Sequence, residues 1–198
     1  MPKIKWAGII RDAAKLQHGV LAPNAQKLEM PSTVNEMMLK ALPFIIPPMV
    51  IMFVSMFLKT FFSGDAVSFP FIAVGAAVGF ALMLVHEWLH AVVYPKGATV
   101  YIGIMPKQFA AVALASYPMS RARFIVMSLL PFLLGIVPLV LFWSMPVQYK
   151  ELNGMLFGAA IMGMISPYPD CYNVFQVLKQ APKGSKLQFY GDDLYYIS

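Results

Sequence analysis

Four runs of this chain are too long and too apolar for the buried helices of an ordinary soluble domain. They extend roughly from Leu39 to Phe62, Phe69 to Tyr94, Arg123 to Trp143 and Gly154 to Ser166. The last is interrupted by Ser-Pro-Tyr-Pro-Asp and resumes as "DCYNVFQVLK". A helix needs about 20 such residues to cross the hydrocarbon of a bilayer. Of the 198 residues, 59% are hydrophobic and 12% charged, whereas soluble domains lie near half and a quarter. The expected fold is therefore an all-α polytopic membrane protein with about four transmembrane helices. Pro47 and Pro48 lie inside the first run and remove two helix donors, so a kink or break is expected there. Pro70 opens the second run and Pro95 stops it.

Charge sets the expected orientation. With the N-terminus inside and four spans, residues 1–40, 95–123 and the C-terminal tail carry 13 Lys and Arg, while the outer side carries only Lys59 and Lys150. Basic residues accumulate on the cytosolic side of membrane proteins. Both termini are therefore expected in the cytosol, in a multi-pass protein of the cell membrane. The net charge of +6 is spread along the chain without a basic, aromatic-interleaved patch, so nucleic acid is not an expected partner. The inner membrane surface is. The lone Cys171 excludes an internal disulfide and a cysteine zinc cluster. The N-terminus lacks the brief apolar core of a secretory signal, so no cleavage is expected.

Three regions follow: residues 1–38 as a cytosolic or interfacial amphipathic segment, 39–180 as the transmembrane unit, and 181–198 as a cytosolic tail. In "KIKWAGIIRDAAKLQ", Trp6, Ile9, Ile10, Ala13 and Leu16 follow helical spacing. That pattern predicts an amphipathic helix, lying either on the inner leaflet or on the protein's own cytosolic face. Thr33 and Glu36 stand at capping-box spacing ahead of the first span. Between spans two and three, "ATVYIGIMPKQFAAVALAS" is rich in β-branched and aromatic residues around Pro106-Lys107. It predicts a short cytosolic-side β-hairpin.

The chemistry concentrates in "LVHEWLHAVVYP". His86, Glu87 and His90 form H-E-x-x-H, and residues four apart share a helix face, so both imidazoles can reach one ion. Glu87, one position along, can touch a water on that ion without binding the ion itself. Unpaired ionisable groups at bilayer depth each cost about 2.5–3.5 kcal/mol even on lenient scales, so three within five residues are an expensive way merely to pack a bundle. Zinc is the expected cofactor, and a catalytic zinc takes three protein ligands and leaves a position open. A metzincin would have glycine at Val93 and a third downstream histidine; neither is present. His18 lies in the N-terminal segment, Glu151 in an outer loop, and Asp192 and Asp193 in the tail. Asp170 remains. It follows Gly154 by 16 residues, as His86 follows Pro70, which places both about 24 Å into spans of the same direction, near the cytosolic edge. Asp170 also suits a helix N-cap after Pro169, and both roles can coexist. The adjacent Cys171 diverges from it by about 100° on a helix. Asn173 and Tyr172 are polar neighbours; Asn173 can orient Asp170 or donate to an oxyanion.

The layout resembles the site-2-protease type of intramembrane metallopeptidase, with H-E-x-x-H in one span and an aspartate two spans later. Pro169 and Cys171 stand where that pattern has leucine and glycine. The chain is more similar to short bacterial membrane proteins grouped as putative zincin peptidases, a domain of unknown function. That similarity rests on the H-E-x-x-H helix followed by "YPKGA", on "YPMSRARFIVMSLLP" and on "DCYNVFQVLKQAPKGS", roughly residues 80–186. It implies a zinc peptidase fold acting on a peptide or membrane protein. The expectation is a membrane-embedded zinc metallopeptidase with His86, His90 and Asp170 as ligands and Glu87 as general base. The alternative is a non-catalytic zinc-binding membrane protein serving assembly or regulation. A metal transporter is disfavoured by four short spans without inverted repeats.

Overall fold

The computed structural model describes residues 1–106 and 110–198. Three helical stretches are long and apolar enough to cross a membrane: Val34–Ser63, Phe69–Val93 and Arg121–Ser144. The first is divided into α1 (Val34–Ala41), a 3-10 turn at Leu42–Ile45, and α2 (Ile46–Ser63). Pro47 and Pro48 fall in the first turn of α2, where a missing N–H breaks no helix bond. The expected break is thus present, just ahead of the prolines. The second stretch is α3 (Phe69–Ala81) and α4 (Met83–Val93), joined at Leu82 by bonds from Leu82 N to Val78 O and His86 N to Leu82 O. The third comprises α5 (Arg121–Leu129), a 3-10 turn at Leu130–Phe132 and α6 (Leu133–Ser144). The fourth apolar run is α7 (Lys150–Ile165). Its 16 residues rise only about 24 Å, short of a 30 Å hydrocarbon core. Across Ser166-Pro167 the chain continues as α8 (Tyr168–Gln180).

The fold is mostly helical but not all-α. Two sheets contain seven strands among the described residues. The first joins β1 (Lys3–Ile9), β3 (Thr99–Met105) and β4 (Ala110–Leu114) in the order β1-β3-β4. The hairpin expected between spans two and three is the β3–β4 pair, in register from Tyr101 opposite Leu114 to Met105 opposite Ala110. Lys107 of its expected turn lies outside the described residues. The N-terminal helix is not formed. Residues 3–9 are a strand running parallel to β3 from Lys3 opposite Thr99 to Ile9 opposite Ile104, and only Ala14–Leu16 make a 3-10 turn. The reason is tertiary: β-branched Ile4 and Ile9 and aromatic Trp6 suit a strand, and a partner almost 100 residues away leaves no local periodicity.

The second sheet has the order β2-β7-β6-β5, from β2 (Gln26–Lys27), β5 (Met119–Ser120), β6 (Lys186–Tyr190) and β7 (Asp193–Ile197). The segment expected to be a tail is therefore a packed hairpin, with Leu187 and Leu194 fully buried against Val100, Phe124 and Val177. The same device delivers both sheets. α4 leaves through Pro95-Lys96-Gly97 into β3, and α8 through Pro182-Lys183-Gly184 into β6, with turn bonds from Ala98 N to Pro95 O and Ser185 N to Pro182 O. Gly97 and Gly184 have φ of 94° and 87°, which only glycine adopts without strain. Thr33 caps α1, accepting from Glu36 N, while Glu36 accepts from Ser32.

Lys59 does not stand in an outer loop. It is buried in α2 and spends its three donors on Phe142 O, Met145 O and Asn153 Oδ1. Asn153 donates in turn to Ala66 O and Pro146 O, both at 3.1 Å. The ammonium thus satisfies carbonyls that the end of α6 leaves unpaired and ties α2 to the α6–α7 connection. Lys59→Met should strand these acceptors at about 1–3 kcal/mol each. A thermal melt is expected to fall by several degrees without change in metal content. An unchanged melt would mean that water replaces the ammonium.

Glycine sets the packing that positions the site. Gly154 of α7 lies on Ser68 and Phe71, Gly158 on Ile72 and Ala76, and Gly79 of α3 on Ala159 and Met162. Contacts advance along both helices together, so α3 and α7 run parallel at near-backbone contact. This is the close approach that small residues allow between helices.

Candidate metal centre

α4 is the continuation of α3, and α8 the continuation of α7. The parallel seam therefore fixes which residues meet one helix further on, and His86 and His90 meet Asp170. The Asp170 Oδ2 atom is 3.4 Å from His86 Nε2 and 3.5 Å from His90 Nε2. His86, Glu87 and His90 are 3%, 7% and 8% exposed, and their potential ligand atoms lie within 4.8 Å of one another. Glu87 Oε1 is 3.9 Å from His86 Nε2, on the neighbouring side of the helix, and β4 packs against α4.

The far sides of the two rings are also occupied. His90 Nδ1 lies 2.8 Å from Met127 O in α5. A carbonyl only accepts, so Nδ1 carries a proton, and Nε2 is the nitrogen that faces Asp170. His86 Nδ1 lies 3.5 Å from Ser166 Oγ, at the α7–α8 junction. Without a metal a proton on Nε2 can bridge each ring to the carboxylate; with the rings neutral, the two Nε2 lone pairs and the Asp170 oxygen are together free to bind one cation. The spacing suits one. Ligands on a tetrahedral zinc at about 2.0–2.1 Å stand about 3.3–3.4 Å apart. Two imidazoles and a carboxylate, each ring oriented through its other nitrogen, form a donor set that zinc accepts.

Asp170 lies in the first turn of α8, while Pro167 holds the N-cap position without a side-chain cap bond. The N-cap role for Asp170 is therefore not the one observed. Its charge still sits at the favourable end of the helix dipole. Cys171 is half-buried. Tyr172 turns away from the centre: its ring packs edge-on to Phe44 and its hydroxyl accepts from Gln176 at 2.7 Å. Asn173 makes no side-chain hydrogen bond to His86, His90 or Asp170 among the described residues. The other carboxylates and His18 are elsewhere. Glu151 is in the first turn of α7, Asp193 pairs with Lys27, and His18 packs on Tyr190. Two orienting groups were missed from sequence. Ser166 was visible as a polar residue at the break in an apolar run, but the Met127 carbonyl carries no sequence signal.

A protein-family model described as "Putative zincin peptidase" matches residues 79–186. No curated protein and no solved structure matches the chain.

Proposed function

The chain belongs to the putative zincin peptidase family, and on that premise we propose that it is a multi-pass zinc metallopeptidase of the cell membrane, hydrolysing a peptide bond in or near the bilayer. The observation that carries this reading is the convergence of two imidazole Nε2 atoms and one carboxylate oxygen at 3.4 and 3.5 Å, with Glu87 beside them. His86, His90 and Asp170 would hold the ion. Bound zinc would polarise the scissile carbonyl and lower the pKa of water toward 7. Glu87 takes the proton of the attacking water and returns it to the departing amine. The Met127 carbonyl holds the His90 ring in its ligating tautomer, and burial by α4, α5 and α8 excludes bulk water. β4 is an edge strand of its sheet and packs on α4, so an extended substrate added along β4 would lie beside the histidine helix.

The placement in the bilayer is part of the proposal. α7 and the start of α8 form a fourth span beside three longer ones. Both termini and both sheets lie on the cytosolic side, in keeping with the basic bias, and the centre sits near that side. Residues 39–180 form the catalytic unit, braced by strands from either end.

Metal content tests the ligand set. Purified protein is expected to hold one zinc per chain. Chelation should abolish cleavage of a co-expressed single-span membrane protein, and zinc alone should restore it. Asp170→Ala should weaken zinc by more than the roughly 10–100-fold typical of an outer-shell change. Full zinc occupancy in that variant would remove Asp170 from the site.

A further inference from the structure

On the side of α8 turned away from the metal, a cleft of about 270 Å³ opens between α8, the end of α1 and the segment Glu29–Pro31. Lys40 and Lys179 line it, with Tyr172, Gln176, Gln180 and Glu29. The amides are largely committed to the wall itself. Gln176 donates to Tyr172 Oη, and Gln180 donates to Gln176 Oε1 and Glu29 O while accepting from Glu29 N. The Tyr172 hydroxyl proton and the two ammonium groups remain to meet a ligand. Lys40 also pairs with Glu36 at 2.8 Å, yet its side chain stays 53% exposed.

Apolar side chains border this polar cleft. Leu39, Leu42, Phe175 and Leu178 are exposed, and Phe44 packs on both Tyr172 and Phe175. The first long apolar run begins at this level, directly after Lys40. The Lys179 ammonium, unpaired among the described residues, Lys40 shared with Glu36 and a phenol, with Glu29 in the wall and exposed hydrocarbon alongside, have the chemistry of a seat for a phosphodiester whose acyl chains run along the protein.

We propose that this cleft binds the headgroup of an anionic glycerophospholipid of the inner leaflet. The phosphate meets Lys40, Lys179 and the Tyr172 hydroxyl, the headgroup hydroxyls meet Glu29, and the acyl chains lie against Phe44 and Phe175. Because α8 carries both Tyr172 and Asp170, an occupied cleft also steadies the helix that supplies the third metal ligand. The inference rests on the bilayer placement proposed above but not on peptidase activity.

The test is native mass spectrometry of the full chain released from vesicles of equal parts phosphatidylglycerol and phosphatidylcholine. A Glu87→Gln background removes any dependence on cleavage. One phosphatidylglycerol per chain should be retained in preference to phosphatidylcholine. At about 1 kcal/mol per basic residue, K179Q should weaken retention about fivefold, and K40Q/K179Q about 30-fold. Measured in detergent without added lipid, zinc content and melting temperature should match the parent chain, which separates lost binding from lost folding. The single variant carries the test if the double variant is unstable. Equal retention of the two lipids, or undiminished retention in K179Q, overturns the proposal. Displacement of the lipid by millimolar inorganic phosphate also overturns it, because the cleft would then be a site for a soluble anion. Intact lipid retention in Asp170→Ala after its zinc is lost supports the cleft independently of the metal, so the two proposals fail separately.

Discussion

Glu87→Gln should keep its zinc and stop cutting. The substitution preserves size and polarity and removes only the base. The carboxylate stands 3.9 Å from His86 Nε2, whereas Asp170 Oδ2 stands closer to both rings, at 3.4 and 3.5 Å. Zinc bound by His86, His90 and Asp170 should therefore remain. The rate should fall by about 10²–10⁴-fold, the range for loss of general acid–base catalysis. Zinc per chain by elemental analysis and cleavage of a reconstituted single-span substrate give the two readouts. Cleavage at the wild-type rate would eliminate Glu87 as the base. Zinc retained at full occupancy with no detectable cleavage in the wild type would instead favour the non-catalytic alternative, a zinc-binding assembly or regulatory protein.

Gly158→Ala should be nearly as damaging, although residue 158 touches no ligand. A Cβ there overlaps the Ile72 carbonyl and crowds the Ala76 amide, at 2.7 Å. Both are backbone groups, so no rotamer change relieves the clash, and α3 and α7 must separate or slide. Overpacking costs typically 1–3 kcal/mol, and a backbone clash belongs at the upper end, about 3 kcal/mol. The diagnostic effect is on the metal. Sliding α7 along α3 carries Asp170 away from His86, so zinc affinity should fall together with the melting temperature. Gly75→Ala meets the Met155 carbonyl from the opposite helix and should act the same way. Gly184→Asn, on a surface turn with nothing within 4 Å of its would-be Cβ, should leave zinc bound. If Gly158→Ala melts early but binds zinc as tightly as wild type, the seam stabilises the fold without setting the register.

How much was legible follows from distance along the chain. H-E-x-x-H lies within one helix, so a 3.6-residue repeat suffices to see that His86 and His90 share a face. Asp170 was reached by exclusion and by equal depth in two spans of the same direction. The structure brings Asp170 beside both histidines because α3 and α7 are parallel and lie nearly in contact. Gly154-x-x-x-Gly158 announces such a contact, and reading it would have strengthened the depth argument. β1 misled because a few apolar residues fit two periods, and the strand pairing that decides between them comes from residues 99–104. The second sheet was invisible for the same reason, with β2 and β5 only two residues long. Lys59 was counted as an outer charge because composition does not reveal the carbonyls that surround it.

The second sheet also bears on when in folding the site region is held. β7 lies inside the sheet, between β2 and β6, and pairs Gln26 with Tyr196 and Lys27 with Tyr195. That pairing closes a loop of about 170 residues, so by contact order it belongs among the slow, late contacts of the fold. β6 and β7 follow directly from α8, the helix that carries Asp170. The histidine helix can therefore form from local contacts alone, while the helix facing it is braced only when the most distant segments of the sheet have met.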